Sequence, residues 1–158
     1  MYNILMNNDY IQTLQLFVTS LLREGNESKP LSSLAKYNCS EVSYLLGLKV
    51  IDDLGVVAKP FVLKGDVNKG VEHNDNIHDI LGFYNQATKK YVIVDPTIWQ
   101  FYPEETSIFI GEYSSIDSAT LNVSKFYEGK WQLSYYIQDI DDNPDKCKEI
   151  IRKNCKEA

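Results

Sequence analysis

The chain has 158 residues, 44% of them hydrophobic and 24% charged, with a net charge of -6 and a pI of about 4.9. That is the length of one domain, with enough apolar residues for a core. The acidic balance argues against nucleic acid and an anionic membrane as the main partner, since both call for a basic face, and favours a protein or a small molecule.

Residues 9–24 place Ile11, Leu14, Phe17, Val18, Leu21 and Leu22 at helical spacing, an amphipathic helix stopped by Gly25 and Asn26. The run LQLFVTSLL inside it is too short and too polar to cross a bilayer, and it has neither the basic start nor the small-residue cleavage site of a secretion signal. A cytoplasmic character is the expectation. The stretch ESKPLSSLAKY turns the chain into a second helix, with Asn38 as N-cap, Glu41 three residues later as in a capping box, and Gly55 closing it. Cys39 then lies on the first turn, where unsatisfied amides and the positive end of the helix dipole favour a thiolate. Ser43, Leu46, Val50 and Leu54 share its face, so it points toward the core side. A small core thiol and a nucleophile are both compatible with that position.

Beyond Gly55 the texture becomes β-like. VVAKPFVL reads as a strand, KGDVNKGVEHNDN (residues 64–76) as a polar, mobile loop, and IHDILGFY and KKYVIVDPT as two strands with a tight connection. SIFIGEY reads as another strand and SSIDSATLNVSKFYEG as a short helix, while KWQLSYYIQDI fits a strand or a helix. Pro144 opens a helical tail in which Cys147 and Cys155, eight residues apart, point the same way at about 12 Å and cannot bridge. An odd number of cysteines with no C-x-x-C argues against a disulfide framework and structural zinc, and no cofactor or metal is expected.

If the two central strands form an antiparallel hairpin turning between Gln86 and Ala87, then Gly82 faces Tyr91, Ile80 faces Ile93 and His78 faces Asp95. An acid beside the imidazole is what a general base needs, to fix its tautomer and support the imidazolium. Pro96 fits, because it cannot donate to a ladder and ends the strand after Asp95. NQATK lacks the Asn-Gly signature of a two-residue turn, and a slip of one would send one partner to the other face. His73, in the polar loop, is a competing base that reads more naturally as a solvated histidine. Trp99 and Gln100, in DPTIWQF, are an aromatic wall and a donor near the site, or plain core packing.

A helix-start NCSEVS, an HDILGFYN strand and then YVIVDPT, in the order Cys, His, Asp, resembles the papain-like and transglutaminase-like cysteine enzyme superfamily. Within it the sequence looks most like bacterial papain-fold toxin and effector domains, such as the glutamine deamidase domain of Pasteurella-type mitogenic toxin. The resemblance covers roughly residues 36–101 and makes Cys39 the nucleophile, His78 the general base and Asp95 the orienting acid. It implies an α+β, papain-like fold over residues 1–158, N-terminal helices packed on a mostly antiparallel sheet. It also implies an effector, active in a host cytosol, that deamidates a Gln side chain of a partner protein. A peptidase or transamidase with the same triad, and a binding module that keeps the fold without the reaction, are the alternatives. The sequence departs from papain proteases in three ways: Ser40 rather than an aromatic follows the cysteine, no Gln stands upstream, and the third member is Asp. The oxyanion donors are then open, with the backbone amide of Cys39 and the Asn38 side chain as candidates.

Overall fold

The structure, a computed structural model, describes residues 8–68 and 76–158. Three helices, α1 (Asn8–Arg23), α2 (Leu31–Ala35) and α3 (Cys39–Leu54), precede strands β1 (Phe61–Asp66), β2 (Ile77–Asn85), β3 (Lys90–Val94) and β4 (Phe109–Tyr113). Helix α4 (Ile116–Tyr127), strand β5 (Trp131–Tyr136) and helix α5 (Pro144–Glu157) follow. The strands form one five-stranded sheet in the order β4-β3-β2-β1-β5, and every neighbouring pair is antiparallel. The α+β expectation therefore holds. Among the described residues, no helix is long and apolar enough to cross a membrane.

Strand periodicity divides the core. Along β1, Val62 faces the same side as Leu81, Phe83, Val92 and Val94, where α1, α2, α3 and α5 pack, while Phe61 and Leu63 join Ile80 and Ile93 on the side covered by α4. The start of β1 and the middle of β2 are thus buried on both faces, which is why Phe61–Leu63 and Ile80–Phe83 read as short apolar runs, while His78, Asp79 and Asn85 are buried polar residues of β2. β5 resolves the ambiguous KWQLSYYIQDI as a strand. Without it, the apolar start of β1 would be an open sheet edge, and pairing Phe61–Gly65 with residues 131–136 satisfies that edge.

Three local expectations change. β1 starts only after Pro60, with Val56–Ala58 in a 3-10 turn, and it runs on through Lys64–Asp66 into the stretch expected to be loop. The remaining core of that loop, including His73, lies outside the described residues. The hairpin turns one residue later than expected: residues 86–89 form the loop, closed by Lys89 N donating to Asn85 O at 2.8 Å and Ala87 N donating to Asn85 Oδ1 at 3.0 Å. Lys89 takes a left-handed φ of +60° to close it. Gly82 consequently faces Ile93, not Tyr91. Moving the centre by one residue moves every pair by two, and an even shift returns each side chain to the same face. Lastly, Asn38 precedes α3 but makes no side-chain cap, so the capping box with Glu41 does not form.

Candidate functional site

His78 is fully buried on the α4 side of β2, and its Nε2 lies 2.7 Å from Asp95 Oδ2. Asp95 follows the last residue of β3, directly before Pro96, and is also fully buried. Its Oδ1 accepts from Thr97 N at 3.1 Å, and its Oδ2 also accepts from the Tyr127 hydroxyl at the end of α4. A buried carboxylate left unpaired would be costly; here donors from a strand, a helix and its own turn hold it in one orientation.

The opening that brings Cys39 to this ring comes from unequal strand lengths. β3 pairs β2 only from Leu81 onward, so residues 77–80 of β2 have β1 on one side and no β3 partner on the other. The start of α3 meets β2 in this stretch, where Ser40 donates to Asp79 Oδ2 at 2.6 Å and Cys39 acts on His78. Cys39 is half-buried and reduced, and it is the second polar group acting on the His78 ring. Burial pulls the imidazole pKa down, but the Asp95 charge and hydrogen bond outweigh it and the nearby Cys39 adds to them, raising it to about 10. Among the described residues, Nδ1 closes no hydrogen bond. What encloses the ring is aromatic: Phe101, Tyr127 and Trp131 meet it edge-on at 4.8, 6.1 and 6.2 Å between centroids. Gly65, opposite His78 on β1, makes room for this wall, since a Cβ there would clash with the Trp131 ring.

Cys39, His78 and Asp95 are thus brought together from three elements. The other candidates are engaged elsewhere. The Asn38 amide donates to Leu34 O at 2.7 Å and lies 3.5 Å from Cys155 Sγ, while its oxygen accepts from Asn154 at 3.0 Å, so both of its amide hydrogens have partners other than a substrate. Trp99 is buried in the helical-side core and donates its Nε1–H to Glu105 O at 2.9 Å. Gln100 is half-buried in the 3-10 turn that packs on α2, and its Oε1 is a buried acceptor with no hydrogen-bond partner among the described residues.

Tyr127 was not foreseen. Its phenol, held in its neutral form by burial and by the Asp95 charge, is a fixed donor to the same oxygen that binds His78. Helical spacing marks Tyr127 only as a core residue of α4, and nothing local separates a core tyrosine from one that orients a carboxylate. Among the described residues, no three His, Cys, Asp or Glu side chains gather as a metal site. Comparison of the chain with protein-family models, with curated proteins and with solved structures finds no match in any of the three.

Proposed function

We propose that the chain is a Cys-His-Asp amidohydrolase of papain-like type that deamidates a Gln side chain of a partner protein. The observation that carries this reading is the His78 ring held by Asp95 on Nε2, with Cys39 acting on it and no hydrogen bond closed at Nδ1. The Cys39 thiolate attacks the carboxamide carbon, forming a C–S bond and an oxyanion. The His78 imidazolium then protonates the nitrogen, the C–N bond breaks, and ammonia leaves a thioester. Neutral His78 takes a proton from water, the hydroxide adds, and the C–S bond breaks to release the acid and restore the thiolate–imidazolium pair. Throughout, Asp95 keeps the ring in one orientation and supports its charge. The backbone amide of Cys39, on the first turn of α3, is the favoured oxyanion donor, since the Asn38 amide has other partners. The choice of deamidation, and of an effector role in a host cytosol, rests on the family resemblance.

The test is incubation of the chain with a lysate of candidate host cells, followed by peptide mass spectrometry. A gain of about one mass unit at a single Gln, with no new termini and lost in Cys39→Ser, is the expected outcome. New termini that depend on Cys39 would replace deamidation with proteolysis, and a fully active Cys39→Ser variant would remove the enzyme reading.

A further inference from the structure

A second buried carboxylate stands back to back with the site. Asp79 follows His78 on β2, so its side chain points to the opposite face, and it is 2% exposed. Its Oδ2 accepts from Ser40 Oγ at 2.6 Å, and Lys64 Nζ lies 2.9 Å from its Oδ1. Ser40 follows Cys39. The residue after the base is therefore bonded to the residue after the nucleophile, in the stretch where β2 lacks a β3 partner and where β3 cannot set the position of α3. The expected side-chain N-cap of α3 is absent as well. Ser40–Asp79 is a hydrogen bond that joins the first turn of α3 directly to the His78 segment of β2. A short O–H···O⁻ bond of this kind is among the strong and directional ones.

We infer that the Ser40–Asp79 pair, braced by Lys64, is a positioning device that sets the Cys39 sulfur against the His78 ring. This rests on the Cys39–His78 reading above and goes beyond it by assigning what holds the two at working distance. Asp79 and Ser40 touch no reacting atom in this scheme. They act through the backbone of their neighbours, where a small displacement of a nucleophile costs far more rate than stability. The pair also accounts for Ser40 at the position after the cysteine, one of the three departures from the papain proteases.

The experiment is the rate of Cys39 alkylation by iodoacetamide at neutral pH in the folded full chain, followed for all three cysteines by peptide mass spectrometry, which needs no substrate. Ser40→Ala is expected to slow Cys39 by about tenfold. Ser40→Thr, which keeps the hydroxyl, should recover most of the rate. Asp79→Asn added to Ser40→Ala should change little further, because the two residues act as one unit. Lys64→Met, at the exposed side of the pair, should slow Cys39 in the same direction and keeps the test alive if Ser40→Ala does not fold. A purely structural role would instead show as faster alkylation of buried Cys147 and Cys155 through local opening, and that pattern would overturn the inference. So would a wild-type rate at Cys39 in Ser40→Ala, or a Thr variant as slow as the Ala one. His78→Ala separates the two failures. If it slows Cys39 while Ser40→Ala does not, the positioning role alone falls; if it leaves Cys39 unchanged, the nucleophile–base reading falls and takes this inference with it.

Discussion

Cys39 sits half-exposed at the first turn of α3 beside an imidazole, whereas Cys147 and Cys155 lie along α5, where burial opposes ionisation. Burial first, then the Asp142 charge and hydrogen bond, push the Cys147 thiol up to about 11. Cys155 is raised by burial against smaller opposing effects of the Asn38 hydrogen bond and the Lys29 charge. Its sulfur lies 3.5 Å from both Leu34 O and Asn38 Nδ2, and it serves as a small polar plug between helices. The difference teaches that a helical position says little about a cysteine's surroundings: Cys39 faces an imidazole, Cys147 a carboxylate and Cys155 a carbonyl.

The largest test of that contrast is loss of the nucleophile. Cys39→Ala should abolish deamidation and leave Cys147 and Cys155 inert to iodoacetamide in the native state, as read by peptide mass spectrometry. Next in size, His78→Ala should slow both turnover and Cys39 alkylation at neutral pH by about a hundredfold or more. Equal alkylation rates for all three cysteines in the wild type would erase the contrast outright.

A third test is pH. The folded-state pKa of His78 is raised to about 10 from an ordinary 6.5, so the stability this group contributes is fully present below pH 6.5 and is lost as pH rises through about 10. The difference in unfolding free energy between the wild type and His78→Gln should therefore shrink between those limits, as measured by urea denaturation. Smaller still, Tyr127→Phe removes one of the donors to Asp95 and should cost about 2 kcal/mol of stability, with a rate loss well short of that of His78→Ala. Thermal unfolding with parallel alkylation kinetics checks both halves.

Much of the site was legible before the fold. The Asn-Cys-Ser helix start, the His strand and the Asp-Pro strand end each carry a local signature, and alternation by two put His78 and Asp95 on one face even though the expected pairing was off by two. What the loop NQATK left open was the pairing, because without Asn-Gly its length is decided by how Asn85 folds back on Ala87 and Lys89. Asn38 looked like a cap from its neighbours, yet the arrival of Leu34, Asn154 and Cys155 gave its amide better partners, and none of these contacts is readable from a capping pattern.

The amino-acid sequence by itself determined the α+β character, the helical stripe of α1, the cysteine at a helix start, and which face of the hairpin carries the imidazole and the acid. These are short-range facts, set by backbone periodicity and by residues a few positions apart. Only the tertiary structure decided that residues 131–136 are a strand, that Tyr127 meets Asp95 from a helix 32 residues away, and that Ser40 meets Asp79 across 39 residues. Each of these depends on which apolar faces bury one another, and polar contacts between distant segments leave no periodic trace in the chain.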